Sequence, residues 1–561
     1  MQTASMRCLP MAAILVAVAQ GQSPKAAAPI PQPGVIEGRV VNDKSGDPLP
    51  KASIYFRVSG VGPVNVVSGP ATYVASTDIE GKFRLENVKP GRYAITAERS
   101  GFIRQFNTTP RAVGIASRLI TIAVGPGETA KVTDIRMVPM ALITGRILDG
   151  DGEPLARAQV QALQIKYSYG KRLLAPASTS QTNDLGEYRL TDLPPGRYYV
   201  TSNWRAPIAA STANSQTQHE YVATFFPSVL DESLWQLLEV TAGQQLQDVN
   251  IKMLKAPVFS VRGKITGDLP PKGVYIRCLP LNQNFYVGLT SPVFSYVRSD
   301  GTFEITGVPA GSHVVAAFPM GMTPSLLGKT AIEVMREPVE NVVVPVANLT
   351  NLSGSIRVVE ATEQPSVSNV GPRTHRVSLR QVGGRQFNAH NNFSKADGTW
   401  SIDGVGRDKY FFDLTGLESA GYWLKSIRHG NQEVLDTGID FTSGATMPVE
   451  IIFGTGAGAI TGKVYDDKDQ PAAGSTVAVV PFPLKEGRFD LYRSTTSDAS
   501  GQFRLAGLPP GEYTLYAWQQ IEPDAFMNPE ILRHYEGSGK RISMKLKGSE
   551  QVDFKVIPIH P

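Results

Sequence analysis

Cysteine is almost missing from this chain: 561 residues carry two, Cys8 and Cys278. Cys8 lies in an N-terminal stretch that reads as removable, so the remaining chain has one thiol and no internal disulfide. Cys278 alternates with Val274 and Ile276, which makes it a core thiol rather than a nucleophile. Histidine is scarce as well, with 7 scattered along the sequence, so a clustered metal site is not expected. No apolar run after the N-terminus reaches the roughly 20 residues needed to cross a bilayer. Neither sign of charge dominates, with 55 basic against 50 acidic residues. There is no basic run or stripe, which argues against nucleic acid as a partner.

Catalytic signatures are missing too. His219-Glu220 is followed by Tyr-Val-Ala, not by a second zinc-binding histidine. No Gly-x-Ser-x-Gly elbow occurs. Gly537-Ser538-Gly539-Lys540 ends like a phosphate loop, but Arg541 stands where Ser or Thr is required. The reading is no enzyme, no cofactor, no catalytic residues and no metal. Two acidic turns, Asp149-Gly150-Asp151-Gly152 and Asp466-Asp467-Lys468-Asp469, offer carboxylates to a hard cation. Acidic residues also shape β-turns for conformational reasons, and that reading is preferred.

What the chain does have is a pattern that returns five times. It starts from Asp78 (DIEGKFRLENVKPGRY), Asp184 (DLGEYRLTDLPPGRY), Asp300 (DGTFEITGVPAGSH), Asp397 (DGTWSIDGVGRDKY) and Asp498 (DASGQFRLAGLPPGEY). The copies stand roughly 100 residues apart, the size of a small sandwich domain. Phe83 with Leu85 and Tyr93 with Ile95 alternate with period two, as in strands that bury one face. Glycine ahead of the first strand supplies a tight turn, and Pro90-Gly91, Pro195-Gly196 and Pro510-Gly511 supply the corner into the second. The corner becomes Ala310-Gly311 in copy three, where His313 takes the tyrosine position as a packed core residue. It becomes Arg407-Asp408 in copy four, the most divergent.

A second piece recurs upstream: Gly38-Arg39-Val40, Gly145-Arg146-Ile147, Gly263-Lys264-Ile265, Gly354-Ser355-Ile356 and Gly462-Lys463-Val464. Another alternating strand follows it, and each repeat closes with further strand-like runs. Six or seven short strands per repeat are the count expected of a small sandwich. Taken together, these pieces resemble the carboxypeptidase regulatory-like domain, a transthyretin-like β-sandwich. The match is best in repeats one, two and five. The resemblance implies a fold and carries no catalytic residues to transfer.

The predicted fold class is all-β, a tandem array of five small antiparallel transthyretin-like or immunoglobulin-like sandwiches. The predicted organisation is an export signal at 1–19, where Arg7 precedes the apolar stretch Met11–Ala19 and Ala17-Val18-Ala19 fits a cleavage site. A Pro/Ala-rich linker follows at 20–34. The repeats then occupy 35–140, 141–255, 256–346, 347–453 and 454–561. Short junctions predict semi-rigid neighbours, with the loosest joint near Gly454-Thr-Gly-Ala-Gly458. One helix is predicted at Asp231–Glu239, with Leu234, Leu237 and Leu238 on a shared face.

Repeat two departs most from the template. A polar stretch, Ser202–Gln218, is followed by an aromatic one. Trp204, Tyr221, Phe225, Phe226 and Trp235 are the candidate ligand-binding residues, because flat rings on a loop stack on sugars or peptides. The competing reading is that these rings tuck back to close the sandwich. Trp423 and Trp518 are open to the same two readings. The functional expectation is an exported binding or scaffold protein, periplasmic or extracellular, with a carbohydrate or an envelope protein as partner. The alternatives are a structural spacer and an accessory component of an envelope peptidase or transport system.

Overall fold

The computed structural model describes residues 32–58, 72–104, 120–204, 218–267, 273–281, 293–320, 326–359, 367–368, 375–382, 390–415, 421–444 and 446–558. The expected export signal, most of the linker and the polar stretch 205–217 lie outside them. The described chain is almost entirely β, with strands gathered into small sandwiches. Among the described residues the five larger apolar cores each draw on one of the predicted repeats. One is built around Ile36, Phe56 and Tyr93, and the next around Ile143, Val160 and Tyr198. The others centre on Ile276 and Phe303, on Trp400 and Ile451, and on Val477 and Tyr513. Each fully buried aliphatic or aromatic side chain contributes about 1.5–3 kcal/mol. A core of some fifteen such residues therefore sustains each sandwich without a disulfide.

Every repeat uses one plan. The opening glycine-bearing strand, such as Ala141–Leu148, pairs antiparallel with the first motif strand, here Glu187–Leu193. The same opening strand pairs parallel with the closing strands of its repeat. The second sheet is fully antiparallel, for example Lys171–Gln181, Gln159–Ser168 and Gly196–Asn203 in that order. The glycine is needed because the parallel partner comes very close. A Cβ at Gly145, Gly263, Gly354 or Gly462 would lie 2.1, 2.0, 2.0 or 1.9 Å from the carbonyl oxygen of Val249, Val342, Val449 or Val552. The divergent repeat four adds Trp423–His429, antiparallel to its closing strand Val449–Gly454.

The motif residues have direct mechanical roles. The hydroxyls of Tyr93, Tyr198, Tyr410 and Tyr513 donate to the carbonyls of Lys89, Pro194, Gly406 and Pro509, at 2.6, 2.6, 3.0 and 2.9 Å. The ring fills the core while its polar tip pins the corner that leads into its own strand. His313 replaces this tyrosine, is buried, and places Nδ1 2.8 Å from the Gly311 carbonyl. Burial holds its pKa below the ordinary histidine value. Cys278 is buried in the core of repeat three, and burial pushes its thiol up to about 12. Asp78 and Asp498 accept backbone N–H groups two and four residues on. In repeat two the equivalent acceptor is Asn183 rather than Asp184. The acidic turns work the same way: Asp149 accepts from Asp151 and Glu153, and Asp466 from Lys468 and Gln470.

One recurrent device went unread in the sequence. The Thr or Ser one residue before the motif acceptors Asp78, Asn183 and Asp498 ties two loops together. Thr77 donates to the Leu49 carbonyl and accepts from the Ala52 amide. Thr182 and Ser497 do the same with Leu155/Ala158 and Ala472/Ser475. The predicted helix at Asp231–Glu239 is not formed. Only the 3-10 turn Glu232–Leu234 is present, capped by Asp231, and Leu238–Val240 is a strand. Leu238 is buried while Leu234 and Leu237 are exposed. The spacing was helical, but pairing of Leu238–Val240 with Gly196–Tyr198 took precedence.

Candidate functional site

The repeats differ from one another on the outer face of the second sheet. In repeat two this face carries Leu163, Leu174, Ile165 and Tyr199, and Phe225, Val229 and Trp235 pack over it. Phe225 is buried there and stacks on Trp235 with ring centroids 3.6 Å apart and planes at 11°. Trp235 also meets Tyr199 edge-on at 5.8 Å. Trp204 donates Nε1–H to the Ala156 carbonyl at 3.0 Å and lies perpendicular to Tyr221 at 5.5 Å. Trp204, Tyr221 and Phe226 are half-buried against the main core of repeat two. The five candidate residues thus form two groups rather than one platform. Trp204, Tyr221 and Phe226 close the sandwich edge, and Phe225 with Trp235 cover the sheet.

This segment also joins two repeats. Gln218–Tyr221 pairs antiparallel with Lys255–Val258, the start of the opening strand of repeat three. Lys255 places its ammonium 4.9 Å from the Tyr221 ring centroid. The joint between repeats two and three is therefore a continuous β-ladder.

A second covering segment, in repeat five, was missed in the sequence. After Trp518 the chain forms the 3-10 turn Ala525–Met527 and the short helix Pro529–Arg533. Phe526, Met527 and Leu532 cover Ala478, Val480, Tyr516 and Trp518. Trp518 is fully buried, stacked on Tyr516 and edge-on to Tyr535. It serves packing. Trp423 donates to the Thr455 carbonyl at 3.1 Å and lies against Gly454. The glycine run 454–458 is thus a site of close contact between repeats four and five.

A cluster of buried charge lies where three repeats meet. The hairpin of repeat two turns at Tyr169-Gly170, both at positive φ, between Gln159–Ser168 and Lys171–Gln181. Two successive residues at positive φ suit the right-handed twist of the flanking strands. The tip reaches repeats four and five. Tyr169 meets Phe489 edge-on at 5.3 Å. The Arg380 guanidinium lies over the rings of Tyr169, Phe411 and Phe489 at 4.6, 5.1 and 4.6 Å. It donates to the Gly487 carbonyl at 3.2 Å and stands 3.6 Å from Asp413. Arg380 is 8% exposed. Burial holds its pKa below the usual value and pushes that of Asp413 up, and their mutual attraction opposes both shifts. Nearby, Asn528 donates to the Gly170 carbonyl at 2.8 Å, and Arg197 pairs with Glu522 at 2.7 Å. The array therefore folds back on itself: repeat two touches repeat four at Arg380 and grips repeat five across more than 300 residues of chain.

Asp524 lies in the covering segment of repeat five, with Oδ1 buried and unpartnered. Burial pushes its carboxyl up to about 7. An unfolded aspartate ionises near pH 3.9. From about pH 4 to 7 the unfolded chain releases this proton while the folded chain keeps it, so folding is progressively penalised as pH rises through that window. Asp524→Asn is expected to raise the melting temperature at pH 8 and leave it unchanged near pH 3.5. An equal shift at both pH values would contradict this.

Among the described residues no group of three or more His, Cys, Asp or Glu side chains is placed to hold a metal ion. No helix among them is long and apolar enough to cross a membrane. The carboxypeptidase regulatory-like domain family matches residues 35–138, 142–253 and 459–521, just under half of the chain. The chain is thus an array of small β-sandwiches, three segments of which are similar to that domain. Among curated proteins no match was found. Solved structures to which the chain is similar include three bacterial proteins. The Bacillus anthracis TIE protein is 13% identical, with 90% of this chain and 74% of that chain covered and a TM-score of 0.15. The minor pilin of Streptococcus agalactiae is 15% identical, with 43% and 99% covered and a TM-score of 0.21. The RrgB pilus protein from Streptococcus pneumoniae is 10% identical, with 95% and 99% covered and a TM-score of 0.15.

Proposed function

We propose that the chain is an exported scaffold of the cell envelope, periplasmic or extracellular, that holds binding surfaces for carbohydrate or an envelope protein in a fixed arrangement. The observation that carries this reading is the three-repeat joint at Arg380. A simple spacer needs only end-to-end contacts, whereas here a hairpin of repeat two is built into repeats four and five. Side chains from three repeats converge on one guanidinium, which fixes the orientation of the sandwiches that carry them. The chemistry of the joint is packing and ion pairing, with no substrate-sized cleft required.

The aromatic segment of repeat two remains a proposed contact surface through the parts of Tyr221 and Phe226 left uncovered. The purified chain, tested against a panel of glycans, peptidoglycan and envelope extracts, is expected to retain at least one class and to hydrolyse none. If the segment binds, Tyr221→Ala with Phe226→Ala weakens retention by about 1 kcal/mol or more per stacked ring in a folded protein. Unfolding of repeat two in that variant assigns these rings to packing alone. Turnover of any panel member, or failure to retain every member, would count against the proposal.

A further inference from the structure

We propose that the outer face of the second sheet of repeat three binds an acidic polysaccharide, with aromatic rings stacking on sugars and Arg277 receiving a carboxylate. This deepens the binding reading above and rests on it. The equivalent face is covered by Phe225 and Trp235 in repeat two, by Phe526 and Leu532 in repeat five, and by Tyr169 and Phe489 around Arg380 in repeat four. In repeat three the cover is partial. Leu326 packs on Phe318 and Ala316, and Tyr275 lies beside them. The other end of the face is open: Phe294 is 54% and Tyr296 60% exposed, on the edge strand Val293–Tyr296.

Register puts these side chains in two rows. One row runs Tyr296, Tyr275, Phe318 across three strands; the next runs Phe294, Arg277, Ala316, Lys329 across four. Val293, Ile276 and Val315 point the other way, into the core. Tyr275 and Phe318 stack at 5.4 Å and 22°, while Phe294 and Tyr296 meet edge-on at 5.9 Å. Of the first row Tyr296 is exposed, Tyr275 half-buried and Phe318 buried, so the rings open to a ligand are Tyr296 and Phe294 of the edge strand. Two exposed rings at the edge of the sheet, beside Arg277, suit pyranoses laid along that edge, because rigid rings offer apolar faces at little entropy cost.

Charge complementarity selects the acidic class. The Arg277 guanidinium lies over Tyr275 and Phe318, at 5.3 and 5.6 Å from their ring centroids. It has no carboxylate partner among the described residues, whereas Arg262 in the same repeat has both Glu304 and Glu340. A guanidinium packed near rings rather than paired with an acid has N–H donors to offer a bidentate carboxylate. Lys329, at the far end of the same row, is already tied to Asp408 of repeat four, so Arg277 is the cation on offer.

The test is affinity electrophoresis of the full chain in gels containing polygalacturonate or its fully methyl-esterified form. The expected result is retention by polygalacturonate at least tenfold stronger than by the ester. Phe294→Ala and Tyr296→Ala each should lose tenfold or more with an unchanged melting curve, and Arg277→Gln should bind the two polymers alike. Equal retention of both polymers by the unaltered chain overturns the acidic assignment. So does binding that survives both ring substitutions and vanishes with salt, which would be attraction to net charge alone. No retention on polygalacturonate overturns the site, and retention of another panel glycan would then leave the broader binding reading standing. Self-association abolished by Tyr296→Ala would assign the face to a second copy and overturn the proposal.

Discussion

Arg380→Ala is expected to destabilise the folded array by about 3–5 kcal/mol and to release the tip of the repeat-two hairpin, because it leaves Asp413 buried without its cation. Three rings from three repeats lose the group that they enclose. Cation–π contact at a desolvated site contributes up to about 2 kcal/mol more. Hydrogen exchange should localise the damage to 166–171 and 487–491, with the core of repeat one unaffected. Arg380→Met combined with Asp413→Asn keeps the volume and removes the unpaired charge, so it should recover most of the stability. Full protection of the hairpin in Arg380→Ala would mean that the guanidinium does not hold the joint.

Gly462→Ala is the second large effect. A methyl there would sit 1.9 Å from the Val552 carbonyl oxygen and against the ring of Phe503. Neither backbone can yield without parting the parallel pairing of Ala459–Thr461 with Ser549–Gln551. A cost of about 3 kcal/mol is expected, seen as a lower denaturation midpoint for repeat five and as proteolysis near 549–558. Gly91→Ala is the control. The nearest atom to its new methyl is 3.8 Å away, so a change within about 0.5 kcal/mol is expected. Equal effects of the two substitutions would remove close approach as the reason for the recurrent glycine.

These two residues mark how far the sequence could be read. The opening glycine, the turn acceptors and the Pro-Gly-x-Tyr corner act within one repeat, through neighbours a few residues or one strand away. Repetition made them visible. The sandwich plan and the all-β class followed from such local signals. The joint at Arg380 left no signal of that kind. Tyr169, Arg380, Phe411 and Phe489 each read as an ordinary strand or loop residue, and their meeting depends on how whole repeats pack. The covering segment of repeat five stayed hidden because Gln519–Glu536 follows a well-formed motif at nearly the expected length. The segment in repeat two was visible as an insertion, but its rings could not be assigned to covering or to recognition from spacing alone. Leu234, Leu237 and Leu238 had helical spacing in a segment where strand pairing prevails.

The central claim is that repeat two is held against repeats four and five, and chemical cross-linking across that contact tests it most directly. Arg197 and Glu522 face each other at the surface, 2.7 Å apart at their tips. In a Cys8→Ser background, Arg197→Cys with Glu522→Cys provides two exposed thiols, while Cys278 stays buried and protonated. A short bismaleimide at low protein concentration should give one intramolecular product in high yield, and Arg380→Ala should reduce that yield sharply. Two singly capped thiols with no bridged product would show that the repeats do not fold back on one another, and would contradict the account.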